Sequence, residues 1–219
     1  MLIQNSMLGK LLAKLLVLTD ESLSLLVDLC ERLASKDGPR WLSLLKQFLR
    51  GELVQPPPRV RLVAPGQVME VNLHAPPILP FTGAQVESHQ GGGGWVKVEK
   101  RAAGLYVDGR KVILHLSERQ QGGQNITGFK LREALSGRPL LNSNLLDTLC
   151  DHPEFIPEDW KQDEQGKTIF IYFWATIFRA ADGVLCVRFC CWDGARWGRD
   201  YRWLVNRWVG QHPAALLAK

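Results

Sequence analysis

The sequence predicts an α+β protein: an N-terminal helical module, a mixed middle region and a C-terminal antiparallel β-meander. Three observations carry this. Apolar residues recur at helical spacing as far as Gly51, and then at every second position from Arg59 to Leu116. Finally, Thr168 to Val209 is a succession of β-branched and aromatic runs broken by Ala181-Asp182-Gly183 and Asp193-Gly194. The expected division is a helical module over 1–51, a proline-rich linker over 52–58, and an α+β domain over 59–219 whose meander occupies 168–209.

In the helical module, Leu8, Leu11, Leu12, Leu15 and Leu16 fall at helical spacing with Lys10 and Lys14 between them. This run has no early basic region or small-residue cleavage site, and it is too short and too charged to span a membrane. A second helix begins at Thr19 or Asp20, either of which can cap free amide groups. It runs to about Ala34, with Leu26, Leu29, Cys30 and Leu33 inward. Lys36-Asp37-Gly38-Pro39 breaks it. Pro39 suits the first turn of a third helix, with Trp41, Leu44, Leu45, Phe48 and Leu49 apolar and Gly51 as its stop. Gln55-Pro56-Pro57-Pro58 then forms a stiff, extended linker.

Short strands follow at 59–63, 68–73 and 95–100, and the run from Leu105 to Leu116 predicts a hairpin about Asp108-Gly109. Gly91 to Gly94 reads as a turn, since a strand and not a helix follows it. Thr127 can cap a helix carrying Phe129, Leu131, Ala134 and Leu135 that stops at Gly137. Asn142 or Ser143 can cap another, with Leu145, Leu146, Leu149 and Cys150 inward, ended by Pro153. These helices, or those of the N-terminal module, are expected to cover the C-terminal sheet.

The meander holds five of the eight tryptophans. In its first strand Phe170, Tyr172, Trp174, Thr176 and Phe178 alternate with Ile169, Ile171, Phe173, Ala175 and Ile177. Both faces are apolar, so the strand is expected to be central and covered on both sides. A two-residue turn at Asp193-Gly194 would place Trp192 opposite Ala195, Cys190 opposite Trp197 and Arg188 opposite Arg199, with an acid such as Asp200 or a ligand anion between the two arginines. Arginines interrupt the third strand as charges commonly interrupt an edge. The same residues offer a second reading, a surface on which bases stack while guanidinium groups meet phosphates. Its members are Arg188, Arg196, Arg199, Arg202, Arg207, Trp192, Trp197, Tyr201 and Trp203.

The chain has 219 residues, 46% apolar and 22% charged, with net charge +5, a balance that permits an acidic partner without requiring one. The acidic segment from Asp147 to Glu164 precedes the basic meander and could neutralise it within the molecule. Five cysteines lie in apolar runs with neither a secreted-scaffold pattern nor zinc-ligand spacing. They are expected to be reduced core thiols in a cytoplasmic protein, and no metal or cofactor is expected.

Several segments resemble an uncharacterised family of hypothetical proteins from candidate-phylum bacteria with reduced genomes. They are LHLSERQ (114–120), GRPLLNSNLLD (137–147), FIPEDWK (155–161), FWATIFR (173–179), WDGARW (192–197), YRWLVNRW (201–208) and PAALLA (213–218). The resemblance implies a bacterial cytosolic setting and carries over no activity or site residue.

Three functions fit the sequence. The favoured one is a non-enzymatic binding or scaffolding protein, contacting a protein partner or a second copy through the aromatic-rich sheet or the N-terminal helices. The second is a nucleic-acid-binding module built on the Arg/Trp surface. The third is an enzyme drawing on His115, Glu118, Arg119, His152 and the acids near Asp159, which requires those groups to converge on one substrate.

Overall fold

The computed structural model describes residues 19–36, 38–49, 59–64, 67–92 and 94–218. The chain divides into two compact units, 1–56 and 57–219. The expected helix over Leu8 to Leu16 and the linker over 52–58 lie outside the described residues.

In the first unit, α1 (Asp20–Ala34) starts at Thr19, whose side-chain oxygen accepts from the Ser22 amide, and α2 (Gly38–Leu49) follows after a short break. A side chain at Gly38 would strike the Leu33 carbonyl, so the break depends on glycine. The Arg32 guanidinium lies 4.7 Å from the Trp41 ring centroid across the pair. Leu29, Leu33, Trp41 and Leu45 are half-buried, whereas Leu26 and Cys30, expected inward, are exposed. The stripe that α1 buries is centred on Leu29 and Leu33, and Leu26 and Cys30 lie to one side of it on the helical wheel.

The second unit is built on an eleven-stranded sheet. Its strands are β1 (Val60–Ala64), β2 (Val68–Asn72), β3 (Gln85–His89), β4 (Trp95–Arg101), β5 (Gly104–Val107), β6 (Arg110–His115), β8 (Ile171–Tyr172), β9 (Thr176–Arg179), β10 (Leu185–Trp192), β11 (Trp197–Trp203) and β13 (Ala214–Leu217). They lie in the order β1-β2-β4-β5-β6-β13-β8-β10-β9-β3, and β11 pairs with β10 alone. A separate small ladder joins β7 (Ile126–Thr127) to β12 (Arg207–Trp208). The two β-rich regions of the sequence are therefore one sheet. They are joined by β13, antiparallel to β6 and parallel to β8 at Ala214 and Tyr172.

The β5–β6 hairpin has the expected two-residue turn. Asp108 (φ 48°) and Gly109 (φ 76°) are both left-handed, and Val107 faces Arg110. The β10–β11 hairpin differs from the expected register by two residues: Trp192 faces Trp197, Cys190 faces Arg199 and Arg188 faces Tyr201. The Asp193 carboxylate explains the slip. It accepts from the amides of Ala195 and Arg196, while the Asp193 amide donates to the Arg196 carbonyl, so the loop closes over four residues.

The expected first strand of the meander is also corrected. It is two strands, β8 and β9, separated by a turn at Trp174 and Ala175. The Ala175 amide donates to the Leu141 carbonyl and its carbonyl accepts from Gln90, so neither group is left for the ladder. Against β10, the register moves from Tyr172↔Phe189 to Phe178↔Cys186, an odd shift that reverses face alternation. Ile177 consequently packs with Tyr172 and Trp174 instead of with Ile171 and Phe173. Every residue from Ile171 to Phe178 is nonetheless buried.

Two helices provide the cover. On one face α4 (Ser143–Asp151) places Leu145, Leu146 and Leu149 against Met69, Val71, Ile171, Phe173 and Cys190. On the other, α3 (Gly128–Ala134) and the residue after it place Leu131 and Leu135 with Tyr172, Trp174, Phe189, Leu204 and Trp208. Each such fully buried side chain contributes about 1.5–3 kcal/mol.

The start of α4 is fastened by polar groups. The Asn142 side-chain oxygen caps the amides of Asn144 and Leu145, and its amide group donates to the carbonyls of Leu73 and Gln90. Asn144 donates to the Ala75 carbonyl at 2.6 Å. His89 Nε2 donates to the Leu73 carbonyl at 2.9 Å, which leaves Nδ1 to accept from the Thr176 hydroxyl at 2.8 Å. That same Thr176 oxygen accepts from the Ser143 amide and hydroxyl.

Candidate anion-binding cleft

The Arg/Trp surface expected along the last hairpin is divided between core and rim. Arg188 is 5% exposed, donating from Nη1 to Asp147 Oδ2 at 2.7 Å and to the Ile78 carbonyl. Arg199 reaches Asp147 Oδ1 at 3.2 Å and Asp151 Oδ1 at 3.0 Å. The acid between these two arginines is thus Asp147 from α4, where an acid such as Asp200 or a ligand anion was expected, and of the acidic segment Asp147 and Asp151 pair with arginines of the sheet. Trp197 is buried, with Trp192 half-buried at its edge and the Lys161 ammonium 4.0 Å from the Trp192 ring centroid. Tyr201 and Trp203 are half-buried against Phe81. Arg202 donates to the Arg207 carbonyl. Arg196, at the hairpin tip, stands 3.5 Å from Asp193 with its side chain 85% exposed, and Arg207 is exposed.

The groups considered for an enzyme do not all converge. His152 lies by Glu154 at 3.4 Å, and Asp159 lines a small pocket beside Lys111 and Trp160. His115, Glu118 and Arg119 do meet, in a cleft of about 770 Å³ between the end of β6 and α3.

Local chemistry builds both walls of this cleft. After His115 the chain turns through Ser117 into a 3-10 turn over Glu118–Gln120, where Gln120 Oε1 accepts from the Ser117 amide. Buried Gln120 donates from Nε2 to the carbonyls of Val209 and His212, which anchors the turn to the sheet. The opposite wall is fixed by the β7–β12 ladder, which pairs Ile126 with Trp208 and Thr127 with Arg207 just before α3. Gly128 then seats the helix. A Cβ there would come within 2.6 Å of the Leu204 carbonyl oxygen and 2.7 Å of Trp208 Nε1. From that base α3 lines the cleft with Lys130 and Glu133, and Arg138 follows.

The electrostatics of the cleft are cationic. Arg119, Lys130 and Arg138 line it, and none of them forms an ion pair among the described residues. Glu118 and Glu133 share the lining, so the fixed charge is one unit positive. Burial, and then the Arg138 guanidinium, hold the His115 imidazole below its ordinary value, which makes it a neutral hydrogen-bonding group near pH 7. Outside the lining of the cleft, Phe129 of α3 is 49% and Val205 58% exposed. A pocket of this size with convergent cations and a neutral imidazole can hold a carboxylate or phosphate group.

Sequence reasoning singled out His115, Glu118 and Arg119 but missed Lys130, Glu133 and Arg138. Their signal was present as the polar side of the expected helix after Thr127. Nothing local shows that this side faces the turn after β6, because the alignment comes from the long-range β7–β12 pairing.

Among the described residues, no group of three or more His, Cys, Asp or Glu is placed to hold a metal ion. No helix among them is long and apolar enough to cross a membrane. Compared with known proteins, the chain matches no family model, no curated sequence and no solved structure.

Proposed function

We propose that the chain is a binding protein that takes an acidic, partly apolar segment of a protein partner at the cleft beside α3. The observation that carries this is the set of three cations, Arg119, Lys130 and Arg138, converging without acid partners, while Arg188, Arg196 and Arg199 of the hairpin are engaged with Asp147, Asp151 and Asp193. Exposed Phe129 and Val205 add apolar area that a carboxylate-bearing segment with Leu or Phe residues would cover. Glu118 and Glu133 favour a peptide over a phosphate chain, since a peptide can offer a cation to each and a phosphate chain cannot. The exposed Leu26, Val27 and Leu42 of the first unit supply a separate apolar surface for association with a partner or a second copy.

The nucleic-acid reading rests on the hairpin residues that stay at the surface. These are Arg196, Arg202 and Arg207 with half-buried Trp192, Tyr201 and Trp203. It requires affinity that falls steeply with salt, and tryptophan quenching on a single strand.

The test is fluorescence anisotropy with a labelled, net-acidic peptide containing Glu, Asp, Lys, Leu and Phe, and with labelled single-stranded RNA, each at low and near-physiological salt. Peptide binding that weakens about tenfold or more when Arg119, Lys130 and Arg138 are all replaced by Ala supports the reading. Peptide binding indifferent to that triple change, or no peptide binding at low salt, counts against it. RNA binding lost with Arg202 and Arg207 would transfer the function to the hairpin.

A further inference from the structure

A second cleft, of about 630 Å³, adjoins the one beside α3, and Leu116 and Gln121 line both. Resting on the acidic-segment reading of the first cleft, we infer that the two form one groove for a bipartite segment of the partner. Its acidic part lies against Arg119, Lys130 and Arg138, and a polar stretch bearing Lys or Arg continues across Gln121 to Glu164.

Two turns wall the second cleft. One is 121–124, where Gly122 (φ 61°) and Gly123 (φ 78°) are left-handed and the Gln124 amide donates to the Gln121 carbonyl. The other is 163–167, closed by the bridge between Gln162 and Thr168. There Asp163 Oδ1 accepts from the amides of Gln165 and Lys167, and Oδ2 accepts from Gln211 Nε2 at 3.3 Å. The floor includes Val209, whose carbonyl accepts from Gln120, and Gly210. Each wall is fixed by its own hydrogen bonds, so the groove is formed before a segment enters it.

The fixed charge changes sign along this groove. The first cleft is one unit positive, whereas in the second Asp163 and Glu164 oppose Lys167, leaving one unit negative. The Lys167 amide, with Gln211 and the Gln165 amide, holds the Asp163 carboxyl below its ordinary value, so this charge persists near pH 7. Glu164 is exposed and forms no ion pair among the described residues. The side-chain amides of Gln124 and Gln165 are also without hydrogen bonds among the described residues, and each offers a donor and an acceptor to the backbone of an extended segment. A nucleic-acid strand leaving the first cleft would meet negative charge here, whereas a lysine on a peptide is drawn to it.

The test is fluorescence anisotropy of the full chain at low salt, with the net-acidic peptide extended by a Gln/Lys tail or by a Gly/Ser tail of equal length. The tail is placed at either end, after neutral spacers of about two, five and eight residues, since an extended residue spans about 3.3–3.6 Å. At the best end and spacer, the basic tail should tighten binding about five- to tenfold over the neutral one. General charge acts in the opposite sense, because the chain carries net charge +5 and the basic tail makes the peptide less acidic. Glu164→Lys should bring the ratio of the two affinities to one or below. Gly210→Val should do the same by filling the floor. A Cβ there meets a single heavy atom within 4 Å, the Gln120 carbonyl oxygen at 3.4 Å, and near-UV circular dichroism checks that the fold is kept. Equal affinity for the two tails, or tightening that survives Glu164→Lys, overturns the bipartite segment and leaves the acidic-segment reading in place. Failure of every peptide to bind overturns both. Should Gly210→Val not fold, the exposed Glu164→Lys still decides.

Discussion

Replacing Asp147 by Asn should be among the most damaging single changes available in the second unit. Asp147 and Arg188 are 4% and 5% exposed and joined at 2.7 Å, so the substitution removes a charge and leaves the guanidinium buried without one. Its remaining neutral partner is the Ile78 carbonyl at 3.2 Å. Breaking a buried pair from one side costs about 3–5 kcal/mol. Arg199 adds little to this figure, since it keeps Asp151 and is partly solvated, a situation worth at most about 1 kcal/mol. For a unit of this size each kcal/mol lowers Tm by about 2–4 °C, giving an expected fall of roughly 6–20 °C. Urea unfolding followed by tryptophan fluorescence and circular dichroism measures it. The double variant Asp147→Leu with Arg188→Met removes both charges and should recover to within about 2 kcal/mol of the parent, because the desolvation cost disappears with the pair. A loss below about 1 kcal/mol for Asp147→Asn, or a double variant weaker than the single one, would refute this account of the pair.

Further expectations concern pH, packing and the fastening of α4. Burial, with Arg202 nearby, lowers the His212 pKa to about 4, and its Nδ1 accepts from the Val209 amide. Its contribution is therefore fully present above the unfolded value near 6.5 and is lost as pH falls towards 4, on the order of 3 kcal/mol in all. Stability curves for the parent and His212→Gln should converge over that window, and parallel curves would remove His212 as the cause. Gly128→Ala forces a methyl group against the Leu204 backbone and Trp208 and should cost about 1–3 kcal/mol, read as a lower urea midpoint with altered near-UV dichroism from Trp208. Asn144→Ala strands the Ala75 carbonyl and should cost about 2 kcal/mol, with faster proteolysis between Leu73 and Ala84. Unchanged cleavage there would show that the loop is held by other groups.

The parts of this fold that could be read from sequence are those decided within a few residues. The Asp108-Gly109 turn, the Thr19 and Asn142 caps and the burial of both faces of the meander all follow from local chemistry. The failures share a different origin. Gln85–His89 is polar at every position but Val86 and Ala214–Leu217 is made of good helix formers, yet both are strands. β3 pairs with β9, and β13 fills the slot between β6 and β8, so tertiary context overrides propensity. A second Asp-Gly pair, Asp193-Gly194, did not repeat the two-residue turn, because there the aspartate side chain caps two amides of a wider loop. The hairpin arginines show the same limit in the candidate site. Composition predicted that acids would neutralise them, and only the packing of α4 on β10 identifies Asp147 as the acid and leaves the unpaired cations on the far side of the sheet.

The placement of β13 has a consequence in time. Until residues 214–217 dock, β6 and β8 are each unsatisfied edges facing a gap one strand wide, and they belong to regions of the sequence more than fifty residues apart. Among the strands of the sheet, the one that closes the gap comes latest in chain order. The two halves of the sheet can each form hairpins early, but the continuous core waits for this long-range pairing, and until it forms the folding chain carries the open edges most apt to pair with a neighbour.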